Sequence, residues 1–380
     1  MPLQTRRLLE LLGVELPILL APMAGPGTAE LAIAVSEAGG LGGLPCATSS
    51  LEQMRRDLGV IRQRTARPVN VNFFCHVQPA PDAAQEAAWK ARMSGYFGEL
   101  GLDPAAPVAG PDRQPFSDAM CAIVEEFRPR VVSFHFGLPD QRLLARVKAA
   151  GCVVLSSATT AEEARWLEAN GCDAIIAQGY EAGGHRGMFL VDDIATQAGT
   201  LALAPQVVDA VSVPVIAAGG ITDARGIAAA FALGASAAQL GTAYLYCPEA
   251  KMHAGHRAAL KAASDNATTL TNVYSGRPAR GIVNRMMREL GPMAPDAPAF
   301  PLASNASGPL RAAAVARGSV DFTPLWAGQA AGLGREMGAG EGVVVGGSAW
   351  RIVERCHGEP TFESPDQPVR SRGRCCCGRC

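Results

Sequence analysis

The chain has little excess of charge of either sign. Its 34 Lys and Arg residues are balanced by 35 Asp and Glu residues, which gives a formal net charge of -1 at pH 7. The absence of a basic cluster in the body of the chain argues against a nucleic-acid or membrane surface. We therefore expect its partners to be small molecules, or copies of the same chain in a homo-oligomer.

Long apolar runs are also missing. No run approaches the ~18 residues that a membrane-spanning helix requires. Glu10 and Glu15 interrupt the apolar segment near the N-terminus, where a signal peptide would need an unbroken core. The sequence therefore predicts a cytoplasmic protein.

The cysteines lack the spacing of a disulfide framework. Cys377 and Cys380 are spaced like a zinc or redox pair, but no second pair accompanies them. His253 and His256 have no nearby carboxylate or cysteine to complete a set of metal ligands, so we interpret them as surface residues and expect no metal site. The six cysteines in or beside apolar segments are expected to be buried free thiols: Cys46, Cys75, Cys121, Cys152, Cys172 and Cys247.

Two common catalytic signatures are missing as well. No serine stands in a G-x-S-x-G elbow, which argues against a hydrolase of that type. No G-x-G-x-x-G element follows a strand and opens a helix, which argues against a dedicated dinucleotide-binding fold.

What the chain does contain is a repeated unit of a short apolar strand, a polar or glycine-rich turn, and an amphipathic helix. Near-continuous apolar strands that alternate with helices indicate a parallel sheet covered on both faces, and eight units suit a closed (β/α)8 TIM barrel. An open doubly wound sheet is the alternative. The eight strands are predicted at residues 17–23, 41–45, 68–74, 131–136, 153–157, 175–178, 214–219 and 237–242.

The pattern divides the chain into four parts. Residues 1–247 are predicted to form the barrel, interrupted at residues 78–114. Residues 248–323 suggest a smaller, mainly helical lid or side domain, and residues 324–340 a segment that returns to the barrel. Residues 341–380 look atypical, and we expect a disordered or artefactual tail.

Polar and glycine residues stand at the carboxyl ends of the predicted strands, where barrel enzymes place their active sites. Glycine-rich turns bring backbone N–H groups close to an anion, and a following helix N-terminus would favour negative charge. The anion would belong to FMN or to a phosphorylated substrate, and Asn72 and Gln178 suit the edge of an uncharged ring. The candidate ligand-binding residues are Met23, Asn72, Gln178, Gly183, Gly184, Gly219, Gly220, Gln239, Leu240, Gly241 and Thr242.

His135 is the best candidate for proton chemistry, because it ends a strand between two aromatic residues and its usual pKa lies near ~6.5. The alternative is a satisfied core histidine. His185 could orient its loop or contact a phosphate, whereas His76 is expected in a loop without chemistry.

Eight motifs carry a resemblance to a known family. In chain order they are LPILLAPMAG, VNVNFFCH, VSFHFGLP, AQGYEAGGHRG, VIAAGGI, QLGTAYLYCPEA, YSGRPARGIVNR and LWAGQAAGLGRE. With these motifs the chain resembles the bacterial nitronate monooxygenases, formerly called 2-nitropropane dioxygenases, up to about Gly340. Beyond that point the terminal helix expected from the family is not evident.

The resemblance implies an FMN-dependent enzyme that oxidises alkyl nitronates with dioxygen, without a metal, to a carbonyl compound and nitrite. Propionate 3-nitronate is one candidate substrate. Asn72, Gln178, Gly183, Gly220 and residues 239–242 match the FMN contacts of the family. His135 matches its active-site histidine, which acts as a base on neutral nitroalkanes or, when partly protonated, holds the bound nitronate.

Two other classes of enzyme share parts of this pattern. An FMN-dependent NAD(P)H quinone or enoyl-thioester reductase of the same barrel superfamily would have the same glycine turns, and His135 is the feature against it. A lyase or isomerase that acts on a sugar phosphate without redox chemistry would also use these loops.

Overall fold

A computed structural model describes residues 2–103 and 113–356 of the chain. Eight strands form one parallel sheet in the order β1-β9-β8-β6-β5-β4-β3-β2, and a parallel bridge between Leu19 and Leu41 joins its two edges. The predicted (β/α)8 barrel is thereby confirmed, and the open sheet is excluded. The strands are β1 Ile18–Leu20, β2 Gly42–Pro45, β3 Val69–Phe74, β4 Val131–His135, β5 Val153–Ala158, β6 Ala174–Gln178, β7 Gly184–His185, β8 Val215–Ala218, β9 Ala237–Leu240, β10 Thr268–Thr271 and β11 Ala279–Ile282.

Several helices begin directly after a capping side chain. Thr28 and Asp223 accept hydrogen bonds from amides of the first turns of α2 and α10. The helices are α1 Leu3–Leu12, α2 Ala29–Glu37, α3 Leu51–Arg64, α4 Ala83–Arg92, α5 Ser94–Glu99, α6 Asp118–Phe127, α7 Gln141–Ala149, α8 Ala161–Ala169, α9 Thr200–Ala210, α10 Ala224–Ala232, α11 Ala254–Lys261, α12 Arg285–Leu290, α13 Ser304–Ala316 and α14 Ala339–Cys356.

Helix α1 packs against the amino-terminal ends of the barrel strands. Its Leu8 and Leu12 are fully buried in one apolar cluster with Val131, Val153 and Ala174 from the starts of β4, β5 and β6. This burial removes apolar surface from water on both sides of the contact. The barrel is therefore filled at this end, and a ligand has access from the carboxyl ends of the strands.

Helix α14 completes the barrel. It lies against α2, α10 and β1, with Val343 and Trp350 buried. A Cβ built on Gly347 would lie 2.7 Å from the Leu16 side chain, so glycine permits the close approach. Seven barrel strands are each followed by a barrel helix before the next strand, and α14 occupies the eighth helix position, after β9.

The prediction of a disordered or artefactual tail was therefore wrong for residues 341–356. Buried positions at 339, 343, 346, 347 and 350 repeat with the period of a helix. Two glycines next to three valines concealed that period in the sequence. Residues 357–380, which include Cys377 and Cys380, lie outside the described residues.

The remaining elements form a second unit above the carboxyl ends of the strands. Its core contains Trp89 and Phe97 from α4 and α5 together with Met286, Leu310 and Phe322. The segment that interrupts the predicted barrel pattern thus packs with residues from 248–323. An antiparallel sheet, β10-β11-β7, joins this unit to the loop after β6 and was missed in the sequence.

Across residues 2–103 and 113–356, no helix is both long and apolar enough to cross a membrane. The same residues contain no group of three or more His, Cys, Asp or Glu side chains that could hold a metal ion. All six cysteines predicted to be free thiols are free, and five are buried, while Cys75 is half-buried.

Candidate active site

A cavity of about 880 Å³ opens at the carboxyl ends of the barrel strands, below the second unit. Its size lies within the range of about 300–1,000 Å³ that is usual for ligand and cofactor sites. Leu240 does not line it, because its side chain packs outward in a cluster with Leu20 and Tyr244. The other sequence-predicted residues all line the cavity: Met23, Asn72, His135, Gln178, Gly183, Gly184, Gly219, Gly220, Gln239, Gly241 and Thr242.

His135 is the last residue of β4 and is held at both ring nitrogens. Its Nε2 lies 3.2 Å from the main-chain oxygen of His185, and its Nδ1 lies 3.1 Å from Oγ of Ser157. Because a carbonyl can only accept, Nε2 carries the proton and the Ser157 hydroxyl donates to Nδ1. Phe136 follows in the left-handed region, with φ of 70°, which turns the chain away directly after the histidine.

Burial, with smaller contributions from the charges of Arg277 and Arg186, lowers the pKa of His135 to about 4, although the hydrogen bond to the His185 oxygen acts in the opposite direction. The imidazole is therefore neutral at pH 7. Of the two roles considered for His135, the neutral base is favoured over the partly protonated anion-binding group, because the ring faces a desolvated cavity and no carboxylate within residues 2–103 and 113–356 hydrogen-bonds to it.

Gln178 and Asn72 form hydrogen bonds in the part of the cavity wall next to His135. Nε2 of Gln178 donates to the His185 oxygen at 3.0 Å, and its Oε1 accepts from the Gly187 amide at 2.7 Å. Asn72 donates to Oγ of Ser133 at 2.9 Å. The two amide side chains thus fix the loop after β6 and the end of β4, beside His135.

Glycines allow three loops to converge at the other side of the cavity. A Cβ on Gly183 would lie 2.5 Å from the Gly328 nitrogen, and one on Gly219 would lie 2.8 Å from Oγ1 of Thr200. Gly219 and Gly220 also adopt positive φ angles of 117° and 68°. The Gly328 amide in turn donates to Thr242 at 2.9 Å, so the loops after β6, β8 and β9 meet the returning segment here.

The helix N-termini next to these glycines are already capped by carboxylates of the chain. Glu181 accepts from the amide and the hydroxyl of Thr200, the first residue of α9, at 2.8 Å each. Asp223 caps α10 through the amides of Arg225 and Gly226. The N-termini of α9 and α10 are therefore occupied, and the glycine amides, the Thr242 hydroxyl and the uncapped start of the short 3-10 helix Thr242–Tyr246 remain as donors for an anion.

Several features of the cavity suit a flavin mononucleotide. Gln239 is buried at the end of β9 on the cavity wall, and its Oε1 has no hydrogen-bond partner. A buried acceptor without a donor is unfavourable unless a ligand supplies one, as the N–H groups of a flavin ring would. The glycine turns leave space and main-chain donors for a phosphate, so the residues present fit FMN.

The other histidines differ in part from their predicted environments. His256 is buried and lines the cavity with His253, so the interpretation of both as surface residues was wrong. His185 is bonded through Nε2 to Ser275 at 2.9 Å and therefore orients its loop. His76 lies in a loop, as predicted, and donates to the Arg113 oxygen at 3.0 Å.

The sequence analysis missed the residues that the second unit contributes to the cavity. Their signal would have been the helical spacing of Ser304, Ser307 and Arg311, because positions three to four residues apart share a face of α13. The residues that the second unit contributes to the cavity include Arg113, Tyr274, Ser304, Ser307, Arg311 and Trp326.

Comparisons with known proteins agree with this architecture. The family model described as nitronate monooxygenase matches residues 5–344. A nitronate monooxygenase from Pseudomonas aeruginosa is 44% identical over 339 residues, which cover 89% of this chain and 97% of the relative. One from Paraburkholderia phytofirmans is also 44% identical, over 88% of this chain and 92% of the relative.

Two solved structures are similar over most of the chain. Nitroalkane oxidase from Streptomyces ansochromogenes superposes with a TM-score of 0.83 at 40% identity, and covers 92% of this chain and 99% of its own. FabK from Thermotoga maritima superposes with a TM-score of 0.70 at 29% identity, over 93% and 98%. Because the family match spans nearly all of the barrel and the second unit, the chain belongs to the nitronate monooxygenase family.

Proposed function

We propose that this protein oxidises alkyl nitronates with dioxygen, using bound FMN, and releases a carbonyl compound and nitrite. The observation that carries the proposal is that a neutral, oriented His135 faces the same cavity as the glycine turns that fit the cofactor. Similarity to nitronate monooxygenases and to a nitroalkane oxidase supports the same reaction. A cytoplasmic location and a homo-oligomer stay predictions.

FMN would be held by the loops at the ends of β6, β8 and β9. Gly183, Gly219, Gly220, Gly241 and Thr242 would surround the phosphate end. Asn72, Gln178 and Gln239 would contact the ring edge, with Met23 beside it. When bound, FMN would supply the redox chemistry of the oxidation.

His135 supplies the proton chemistry. A neutral nitroalkane must lose the proton on the carbon next to its nitro group before it can be oxidised, and a neutral imidazole is a competent base. Nδ1 is the available lone pair once the Ser157 hydroxyl rotates away from it. Nε2 keeps its bond to the His185 oxygen, which fixes the tautomer and the plane of the ring.

A nitronate is already deprotonated and needs no base. The chain then has to bind an anion in the cavity. Trp326 and Tyr274 lie over the site from the second unit, with ring centroids 5.7 Å apart, and shield it. Interactions with the delocalised negative charge are stronger in such a desolvated site than in water.

The test is an anaerobic visible spectrum of the FMN-loaded protein before and after propionate 3-nitronate is added, followed by air and a nitrite assay. We expect the flavin band to change with the nitronate and nitrite to form on aeration. A flavin band that nitronates leave unchanged and NADH bleaches would instead assign the protein to the reductases. A colourless protein that cannot be reconstituted with FMN would contradict both assignments.

A further inference from the structure

Arg186 is a charged side chain that lies completely inside the protein, behind the cavity wall. Its exposed fraction is 0%, and it does not line the cavity. Burial, with a smaller contribution from the charge of Arg280, lowers the pKa of Arg186 to about 10, so the guanidinium keeps its charge at pH 7. A charge in this position is costly, and a neutral side chain of similar size would fill the same space.

The guanidinium of Arg186 holds the end of β6. Its Nη2 donates to the main-chain oxygen of Gln178 at 2.8 Å, and its Nη1 donates to that of Gly179. Nη2 and Nε also donate to Oε1 of Gln197, at 2.9 and 3.3 Å. Among residues 2–103 and 113–356, no carboxylate accepts a hydrogen bond from this guanidinium. It therefore joins the strand end to the loop before α9 through neutral acceptors.

A second buried charge lies at the other end of a chain of hydrogen bonds from Arg186. Gln197 donates to Oγ1 of Thr159 at 3.0 Å, and this hydroxyl donates to Glu163 at 2.7 Å. Glu163 also has an exposed fraction of 0%. The charges of Glu181 and Glu163 both favour the charged guanidinium. The hydrogen bonds thus form one relay with a buried charge of opposite sign at each end.

The relay holds residues 186–190 at both ends. Glu163 accepts from the amide of Phe189 at 2.6 Å, near the far end of the segment. At the near end, the amide of Arg186 donates to the oxygen of Pro278, in the loop before β11, at 2.9 Å. The segment is therefore fixed to the barrel and to the antiparallel sheet at once.

Main-chain atoms on either side of Arg186 contact the proposed base and the amide beside it. The oxygen of His185 accepts from Nε2 of His135 and from Gln178. The Gly187 amide donates to Oε1 of the same glutamine. A Cβ built on Gly187 would lie 2.9 Å from Cε1 of His135, so glycine allows the main chain to approach the imidazole this closely. A displacement of this segment would therefore release the ring of His135.

We propose that Arg186 is a positioning residue, which keeps the His185 oxygen in place and thereby fixes the imidazole of His135 as a base. The inference rests on the proposed function, and it makes Glu163 the charge that balances Arg186. Arg186 acts through the main chain, because its side chain lies outside the cavity. Arginine suits the position because its rigid fork can donate to several acceptors that lie in different directions.

The first test separates proton removal from the rest of the reaction. A neutral nitroalkane needs His135 as a base, whereas its nitronate does not. In Arg186→Met, at saturating FMN, we expect kcat for the nitroalkane to fall by roughly 10- to 100-fold, because small misplacements of a reacting group have effects of this size. The kcat for the nitronate should fall by no more than about threefold. Equal losses with both substrates, or no loss with either, would overturn the inference.

The tautomer of His135 gives a readout that needs neither turnover nor cofactor. Nitrogen NMR of histidine-labelled protein distinguishes a proton on Nε2 from one on Nδ1, and the His135→Asn variant assigns the signal. We expect the proton on Nε2 in the unaltered protein and a mixture of both tautomers in Arg186→Met. A tautomer that stays entirely on Nε2 in this variant would contradict the positioning role.

Gln197→Leu keeps the inference testable if Arg186→Met does not fold. It interrupts the relay at a half-buried side chain and leaves the charge of Arg186 in place. We expect kcat for the nitroalkane to fall by about 3- to 10-fold and kcat for the nitronate to stay the same. A nitroalkane kcat that Gln197→Leu leaves unchanged would count against the relay and overturn the inference.

Arg257→Met is the matched control. Arg257 is half-buried and, like Arg186, donates to main-chain oxygens, here within residues 246–250. It should leave the ratio of the two kcat values unchanged, and a ratio that changes as much as in Arg186→Met would overturn the inference. If the unaltered protein oxidises neither substrate, it is the proposed function that has failed, and the NMR comparison still tests the role of Arg186.

Discussion

Nε2 of His135 donates a hydrogen bond to the main-chain oxygen of His185, 3.2 Å away, across the mouth of the barrel. The same oxygen accepts from Gln178 at 3.0 Å. One carbonyl therefore fixes the tautomer of the candidate base and the amide that would face the cofactor. Gln178 also accepts from the Gly187 amide, so it keeps both of its own bonds when the imidazole is replaced, and the role of His135 can be tested apart from FMN binding.

We expect His135→Asn to retain FMN and to lose most turnover of neutral nitroalkanes. Loss of a general base typically lowers the rate by about 10²- to 10⁴-fold. Nitronates need no proton removal and should be affected much less. The measurement is kcat with a nitroalkane and with its nitronate, and full nitroalkane activity in the variant would contradict the assignment.

Gly183→Ala should weaken FMN binding. Its new methyl group would lie 2.5 Å from the Gly328 nitrogen, so the loop after β6 and the returning segment would have to separate. Strain of about 1–3 kcal/mol corresponds to roughly a 10- to 100-fold higher Kd for FMN. Flavin fluorescence titration measures it.

Gly59→Ala is the control for that substitution. Gly59 lies inside α3, where a Cβ would meet nothing within 4 Å. The added methyl group should leave FMN affinity unchanged and improve helix propensity. Equal FMN affinities in the two alanine variants would show that the close approach at Gly183 does not shape the site.

The stability of the protein should fall when the pH drops from 7 to 5. Burial lowers the pKa of His256 to about 4 in the folded chain, whereas the unfolded chain takes up its proton near pH ~6.5. Between these values the unfolded state binds more protons, so acid favours unfolding. One such group contributes about 2 kcal/mol of destabilisation between pH 7 and pH 5.

His256→Gln should remove that share of the acid sensitivity. Urea unfolding of both proteins at pH 7 and pH 5 gives the comparison, with the variant expected to lose about 2 kcal/mol less than the original on acidification. Parallel losses in the two proteins would contradict the assigned environment of His256.

Trp350→Ala should destabilise the barrel. Trp350 is 5% exposed on α14 and packs towards Phe231 of α10, with ring centroids 6.5 Å apart. Removal of a buried Trp side chain costs about 3–5 kcal/mol. Val344→Ala, on the exposed side of the same helix, should change the free energy of unfolding by less than about 0.5 kcal/mol. Similar small effects of both substitutions would show that the helix does not support the barrel.

The barrel and the residues at its strand ends could be predicted because both depend on local pattern. Apolar runs of four to six residues indicate buried parallel strands, and a residue such as His135 or Gln178 directly after such a run must lie at the carboxyl edge.

Features that depend on distant parts of the chain could not be predicted in this way. The two residues of β7 carry no periodicity of their own and are a strand only because β11 pairs with them. Arg113 and Arg311 are brought to one cavity by tertiary packing. The cap that Glu181 provides for α9 likewise joins two segments that are 19 residues apart in the chain.

The position of α14 has a consequence for synthesis of the protein. Helix α14 packs against β1, but residues 241–338 separate it from β9 in the chain. These residues include most of the second unit, and they emerge from the ribosome after β9 and before α14. The apolar outer face around Ile18 and Ile227 therefore stays uncovered during that interval. Exposed surface of this kind attracts chaperones and promotes aggregation. We expect stalled chains that end before Ala339 to be bound by chaperones, and longer chains to be released from them.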